Sequence, residues 1–424
     1  MLCAACCVWH GRNTQHIILD MSAPSPIAHP ENGPAARDRW HNARLLVALL
    51  LGLGGFVLGG MLSVGGLVLL LVEGERLAPH LTLPLFSLAA IGAGLGLPLA
   101  WQSIAGLSGW PSRRFSLPLT WGLQLALAFL MSLIGGQVML TLDLAPALTL
   151  PWFHAVALAL PPFLLLWGAA SLVRDPHYTW RQMWGGLGGA FGSLGLAFVV
   201  EFGLLAIGLV AVAIVVEADP DLASALSQLG TTPDYQALSE LIGLLLRQPA
   251  ILVMLFIGLG LIVPLVEEGC KSLVPALAGV GHKPTVARLF LWGVAGGAGF
   301  AVVEGMLNAG LGTQEWASVA LLRIGSSTMH CLTAGLTGWG WGHVWAQRRW
   351  LHLLLAYALA VAIHGAWNSL SVGMIAIAET LEPGPLQSTL VTAAFMLLAL
   401  LTLGMIAAVM MLANKLSKEM GGVT

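Results

Sequence analysis

Residues 261–271, which read LIVPLVEEGCK, place acidic and basic side chains at the end of a long apolar run. Glu267 and Lys271 are four residues apart, so a helix would put both on one face. Glu268 would point about 100° away around the same helix. An ionisable side chain inside the hydrocarbon costs about 2.5–3.5 kcal/mol, and such residues are usually functional. The stretch is therefore predicted to carry chemistry inside a membrane.

Three later apolar segments each carry polar side chains of the same kind. Glu304 lies in a glycine-rich apolar run with no local partner, so it must pair with another helix or be neutral. His330 follows Arg323 by about two helical turns, and His364 precedes Asn368 by four residues, so each pair shares a helix face. Neutral imidazole is a common metal ligand and can also act as a general base. We predict that these groups meet in one intramembrane site.

The composition of the chain is that of a membrane protein. Of its 424 residues, 57% are hydrophobic and only 9% are charged, and the mean hydropathy is +0.85. A soluble domain has about 25% charged residues. Continuous apolar runs favour helices in the lipid bilayer over a β-barrel, which would show short alternating segments. We predict an all-α polytopic membrane protein with about ten transmembrane helices and its catalytic bundle in the C-terminal half. No basic stripe is present, so nucleic-acid binding is not expected.

Changes in polarity divide the chain into four parts. Residues 1–43 are polar and are predicted to form a disordered cytoplasmic N-terminal extension. Residues 44–249 are predicted to form accessory transmembrane helices, with an outer loop at 217–249. Residues 250–413 are predicted to form the catalytic bundle, and 414–424 a cytoplasmic tail. The outer loop is partly amphipathic, which fits a surface helix at the interface or a lid over the site.

Positively charged residues mark alternate loops between the apolar segments. Arg44 precedes the first segment, Arg113, Arg181 and Arg288 lie in or beside the second, fourth and sixth loops, and Lys415 follows the last segment. The intervening loops are acidic or poor in positive charge. Cytoplasmic loops of membrane proteins carry the excess of lysine and arginine. Both termini are therefore predicted to be cytoplasmic, which agrees with an even number of helices.

The order of the polar motifs resembles that of a known protease family. EExxK, FxxxE, a helix with arginine and histidine, and HxxxN follow one another at Glu267, Glu268, Lys271, Phe300, Glu304, Arg323, His330, His364 and Asn368. With this pattern, residues 250–370 are similar to the PrsW family of intramembrane proteases, which belongs with the type II CAAX prenyl proteases in the CPBP clan.

The resemblance implies a peptidase in a bacterial cell membrane. Family members cut membrane-anchored regulators such as anti-sigma factors, so the implied partner is a membrane-anchored protein substrate. Clan relatives with CAAX activity have a histidine where this chain has Glu304. The resemblance therefore gives no reason to assume a prenylated substrate.

Peptide hydrolysis needs an activated water, a polarised carbonyl and a proton for the leaving amine. We expect Glu267 to act as the general base on water, with Glu268 and Lys271 supporting it. Desolvation in the bilayer disfavours the charged form of a carboxylate, which makes it a better base than it would be in water.

Two versions of the site differ in what polarises the carbonyl. In the first, Glu304, His330 and His364 bind a divalent metal such as Zn²⁺ and leave an open position for water. In the second, no metal takes part, and His330, His364 and Asn368 are the oxyanion and proton-relay groups. No HExxH motif is present, so the metal prediction depends on residues from separate helices.

A proton- or ion-coupled transporter is the alternative function, because buried Glu and His residues also build ion paths. The halves of the chain show no inverted repeat, which counts against it. Counting about 1.5 Å per residue puts His330 and His364 near mid-membrane, Glu267 nearer the cytoplasm and Glu304 nearer the outside. Convergence on one point would favour a peptidase, and a linear spread a transporter. Glu201 lies in the fifth segment without a motif and is left out of the predicted site.

Overall fold

A computed structural model describes residues 39–73, 79–231, 235–281, 284–307 and 316–421 of the chain. Most of the predicted N-terminal extension, at residues 1–38, lies outside the described residues. So do the last three residues of the predicted tail. The rest of that tail continues the final helix as far as Gly421.

The described residues fold into helices joined by short connections. The helices are α1 Arg39–Glu73, α2 Pro79–Leu107, α3 Leu119–Thr141, α4 Pro146–Val173, α5 Trp180–Ala218, α6 Pro220–Thr231, α7 Tyr235–Leu246, α8 Pro249–Ile257, α9 Val263–Gly279, α10 Val286–Leu307, α11 Trp316–Gln347, α12 Trp350–Thr380 and α13 Pro385–Gly421. A π turn, Gly258–Ile262, connects α8 to α9. The prediction of an all-α fold is confirmed.

Nine helical spans in the described part of the chain are long and apolar enough to cross a bilayer. The segment Pro249–Gly279, which joins α8, the π turn and α9, is one of them. The predicted span in α11 is a helix but is less apolar than the nine, because it is rich in Gly, Ser, Thr and His. Most of the middle of α11 is buried by other helices, so these polar residues do not face lipid. The chain is an integral membrane protein with many spans.

α10 lies at the centre of the helix packing. It contacts α2, α4, α5, α9, α11 and α13, and nearly all of its side chains are buried. α1 packs mainly on α2 and leaves many large apolar side chains exposed. Apolar exposure on this scale would not suit a soluble protein, but it suits a helix that faces lipid. The packing therefore separates a buried centre from a lipid-facing rim.

Glycines let α10 and α11 approach each other closely. A Cβ atom on Gly293 would collide with the carbonyl group of Ala334, and one on Gly297 would collide with the carbonyl group of His330. Small residues four positions apart permit this kind of backbone contact between membrane helices. The contact fixes the position of His330 relative to α10.

The segment predicted as an outer loop contains the two short helices α6 and α7. Asp219 lies at the base of this hairpin, where its Oδ1 accepts a hydrogen bond from the Asp221 N–H at 3.0 Å. Its Oδ2 accepts from Gln248 Nε2 at 2.8 Å, just before α8 begins. The carboxylate thus caps α6 and joins the two ends of the hairpin. α7 also contacts α12.

Candidate active site

α9 carries the EExxK residues and begins at an irregular turn. The π turn Gly258–Ile262 comes first, and Pro264 lies in the first turn of α9. A π turn changes the hydrogen-bond register, and proline cannot donate to the carbonyl one turn earlier. Backbone carbonyl groups near this turn are therefore left for other partners.

Two side chains of α12 donate hydrogen bonds to backbone carbonyl groups in and just after this turn. Asn368 Nδ2 donates a hydrogen bond to the Leu259 carbonyl oxygen at 2.9 Å, and the Tyr357 hydroxyl donates to the Leu265 carbonyl oxygen at 2.7 Å. Asn368 was predicted to act catalytically, and here its amide holds the backbone of the π turn. α12 therefore secures the turn that directs the carboxylates of α9.

Lys271 connects the acidic residues of α9 to α11. Its Nζ lies 2.7 Å from Glu268 Oε1, 3.1 Å from Glu267 Oε2 and 2.7 Å from His330 Nδ1. An ammonium group has three N–H donors and no acceptor, so Nζ donates to Glu268 and His330 and lies beside Glu267 as an ion pair. Nζ also lies 4.3 Å from the centre of the Phe300 ring. The buried charge of Lys271 is thus fully satisfied by neighbours.

Glu268 orients the imidazole of His364. Glu268 Oε1 lies 2.8 Å from His364 Nδ1, and both side chains are buried. Glu268 Oε1 also accepts from Lys271, so Glu268 is a carboxylate and His364 Nδ1 carries the proton that it donates. A neutral His364 therefore has its lone pair on Nε2. This is the carboxylate–histidine arrangement that fixes the tautomer of a ligating imidazole.

Glu304 orients the imidazole of His330 in a similar way. Since Lys271 can only donate, His330 Nδ1 must accept, and the proton of a neutral ring lies on Nε2. His330 Nε2 is 2.6 Å from Glu304 Oε2. Arg323 Nη1 donates to the other oxygen of Glu304 at 3.1 Å. Glu304 therefore has both an imidazole and a guanidinium partner from α11.

The three side chains Glu267, His330 and His364 converge on one point. Glu267 Oε2 lies 4.0 Å from His330 Nδ1 and 3.9 Å from His364 Nε2, and one donor atom of each residue lies within 4.8 Å of the others. These separations are too long for direct hydrogen bonds, but a water or an ion between the atoms would contact all three. One carboxylate and two imidazoles form a known type of catalytic zinc set.

The donor types and their proximity fit a divalent ion, but Lys271 now contacts two of the three donors. Its Nζ is close to both Glu267 Oε2 and His330 Nδ1. An ion bound by all three residues would require the ammonium group to withdraw from His330. The same group lies between the carboxylates of Glu267 and Glu268 and offsets part of their negative charge.

The metal set predicted from the sequence contained Glu304 with His330 and His364. In the structure, the carboxylate that converges with the two imidazoles is that of Glu267, and Glu304 contacts the far nitrogen of His330. The role of Glu304 as a ligand stays a prediction. Its geometry is that of a residue that orients a ligand.

A cavity of about 500 Å³ opens beside the converging groups. Its lining includes Glu267, Glu304, His330 and His364, and also Glu201 from α5. The sequence analysis left Glu201 out, although a lone acidic residue in an apolar span was a signal for it. Glu201 Oε1 is buried and has no hydrogen-bond partner among the described residues. Volumes of this size are usual for ligand sites.

The fold and the site define an integral membrane protein with a buried Glu–His centre between its helices. Residues 194–401 match the family model described as PrsW family intramembrane metalloprotease. The matched region runs from α5 into α13 and contains every residue of the centre. The match supports the PrsW family and a membrane-embedded protease. Comparisons with curated proteins and with solved structures found no significant match.

Proposed function

We propose that the protein is an intramembrane peptidase that hydrolyses peptide bonds in a membrane-anchored protein substrate. The observation that carries this proposal is the convergence of Glu267, His330 and His364 beside a cavity inside the helix bundle. A transporter path would spread such groups along the membrane normal. We place the protein in a bacterial cell membrane, as the family resemblance implies. We place both termini on the cytoplasmic side, as the distribution of arginine and lysine suggests.

Glu267 is the general base in this proposal. Its Oε2 faces both imidazoles at about the distance that one intervening water requires. The carboxylate takes a proton from that water, and the water oxygen attacks the substrate carbonyl carbon. The same proton then reaches the leaving amine, so Glu267 ends the cycle deprotonated. Lys271, 3.1 Å from the carboxylate, stabilises its charge between cycles.

Each of the two imidazoles is oriented by a carboxylate partner. Glu268 directs the Nε2 lone pair of His364 toward the centre, and Glu304 directs Nδ1 of His330 the same way. As an alternative to acting as the base on water, Glu267 would hold a divalent ion such as Zn²⁺ together with His330 and His364, and that ion would supply a Lewis acid for the carbonyl oxygen. The substrate in this proposal is a membrane-anchored regulator of the kind that the family resemblance suggests.

The Glu267→Gln variant tests the proposal. Purified protein in liposomes is given a single-span membrane-anchored reporter, and loss of the base should lower the cleavage rate by about 10²–10⁴-fold. Glu217→Gln, at the exposed end of α5, is the matched control and should cleave as the wild type does. Thermal melting of each variant separates lost chemistry from lost folding. Undiminished cleavage by Glu267→Gln would refute the assignment of the base.

Metal binding by two variants, Glu267→Gln and Glu304→Gln, shows which carboxylate holds an ion. After equilibration with Zn²⁺ and removal of the excess, bound metal is measured by mass spectrometry. Glu267→Gln should lose the ion and Glu304→Gln should keep it, since only Glu267 converges with the two imidazoles. The opposite result would favour the ligand set predicted from the sequence.

A further inference from the structure

Glu201 is an acidic residue of the large cavity that the proposed chemistry does not use. It lies in α5 and lines the cavity of about 500 Å³ that also contains Glu267 and His330. Its Oε1 is buried and has no hydrogen-bond partner among the described residues. A buried acceptor without a donor costs about 1–3 kcal/mol, so such an atom indicates a donor that the chain itself does not supply.

Other polar side chains that line the cavity have partners within the chain. Ser326 and Ser371 each donate to a carbonyl oxygen of their own helix, at 3.3 Å and 3.0 Å. Asn368 donates to the backbone of the π turn, and Arg323 donates to Glu304. The fold itself provides partners for these four side chains, in contrast to the carboxyl group on α5.

The surroundings of α5 change at Glu201. Earlier in the helix, Leu194 and Ala197 lie seven and four residues before it on the same face, and both are buried in the helix bundle. Later in the helix, Leu205 and Leu209 continue this face four and eight residues further on, and both are exposed. Glu201 itself is partly buried, so it marks the place where this face of α5 leaves the bundle and meets lipid.

Another wall of the cavity is also bordered by lipid-facing residues. Leu259, in the π turn, and Val263, at the start of α9, line the cavity. Ile257 and Leu261, on either side of Leu259 in the sequence, are exposed apolar side chains. The cavity therefore lies close to the lipid-facing surface beside α5 and the π turn. A membrane-spanning segment that enters there would pass Glu201.

We propose that Glu201 binds the substrate by accepting a hydrogen bond from a backbone N–H of the unwound substrate segment. This inference rests on the proposed peptidase function. In a helix each carbonyl group accepts from the N–H four residues on, so the substrate must unwind at the bond that is cut. The N–H groups that lose their partners cost several kcal/mol each in the hydrocarbon. Ionised or neutral, a carboxyl group offers an acceptor oxygen to such a donor.

Binding of an uncleaved substrate tests this contact. A fluorescent single-span peptide is titrated into Glu267→Gln protein in nanodiscs, and its anisotropy gives the Kd. Adding Glu201→Leu should weaken binding about tenfold, because leucine has no acceptor. Adding Glu201→Gln, which keeps a carbonyl oxygen, should change Kd by less than about twofold. Leu205→Ala, on the exposed part of the same face, is the control and should leave Kd unchanged. Equal Kd values for the leucine and glutamine variants would overturn the proposal.

An ester in place of one peptide bond of the substrate locates the N–H that is bound. The ester replaces a single backbone N–H by oxygen, and peptides are made with this change at successive positions. At one position the ester should weaken binding to Glu267→Gln protein about tenfold. The same ester should have no further effect when Glu201→Leu is also present, because the acceptor is already lost. Independent effects at every position would refute a direct contact, even if Glu201→Leu bound weakly.

Cleavage of the same peptide by the wild-type protein separates this inference from the proposed function. A peptide that binds through Glu201 but is never cut would overturn the peptidase and leave the contact standing. A peptide that the wild type cuts, but whose binding shows no coupling to Glu201, would overturn the contact and leave the peptidase standing.

Discussion

The two sides of the Glu–His centre hold their imidazoles in different environments. On the side of α9 and α12, Glu268 has no exposed surface, and it contacts both His364 and the buried Lys271. On the side of α10 and α11, the Glu304 side chain is 20% exposed and pairs with Arg323, which is equally exposed. Both carboxylates contact a histidine, but only Glu268 is completely buried.

This difference predicts how far a substitution on each side affects folding stability and how far it affects cleavage. A buried charge that loses its partner destabilises the fold, whereas an ion pair near water contributes much less. We therefore expect changes on the Glu268 side to affect both folding and cleavage. Changes on the Glu304 side should affect cleavage more than folding.

The largest effect is expected for Glu268→Gln. The change leaves Lys271 with one carboxylate fewer in a buried site, so the free energy of unfolding should fall by about 3–5 kcal/mol. Cleavage should fall at least about 100-fold, because His364 loses the group that fixes its tautomer. Denaturation in detergent and reporter cleavage measure the two losses. If Glu268→Gln were as stable as Glu217→Gln, the fold would not need the Glu268 carboxylate to stabilise the buried charge of Lys271.

A smaller and more selective effect is expected for Glu304→Gln. The neutral amide can still face His330 and Arg323, so the free energy of unfolding should change by only about 1–2 kcal/mol. Loss of the orienting carboxylate should lower kcat about 10–100-fold and leave KM nearly unchanged. Steady-state kinetics on the reporter measure both constants. A stability loss equal to that of Glu268→Gln would remove the distinction between the two sides.

The smallest effect on cleavage is expected for Gly297→Ala, which acts on the backbone behind His330. The added methyl group collides with the His330 carbonyl group, so α11 must shift, at a cost of about 1–3 kcal/mol. Cleavage should fall several-fold as the imidazole moves. Gly195→Ala in α5 is the matched control, because among the described residues the added methyl group has no contact within 4 Å beyond its own turns of helix. Equal melting temperatures for the two variants would show that α10 and α11 separate freely.

Much of the fold was predictable because a bilayer demands long apolar segments. Spans such as α5 and α13 follow directly from unbroken apolar runs of sufficient length. α11 shows the limit of that signal, since a helix buried by other helices does not need a lipid-compatible surface. The hairpin of α6 and α7 was also less visible, because its position depends on contacts such as that between Asp219 and Gln248.

The site was predictable as a set of residues but not as a set of partners. Helical spacing placed Glu267 and Lys271 on one face, and the structure has them 3.1 Å apart. Depth counting put Glu304 and Glu267 on opposite sides of mid-membrane, yet both contact the region of His330. Straight helices of equal rise cannot anticipate the π turn before α9 or the close approach of α10 and α11. Those features determine which imidazole nitrogen each carboxylate contacts.

The π turn at Gly258–Ile262 has a consequence for how the chain could change over time. Such a turn is an α-helix with one additional residue, so deleting a single position there would restore the regular repeat. Everything on the far side would then swing by about 100° relative to α8. The carboxylates of α9 would leave the imidazoles although neither had been altered. In the proposed function, cleavage would thus depend on the number of residues in a glycine–leucine stretch that itself supplies no acid, base or metal ligand.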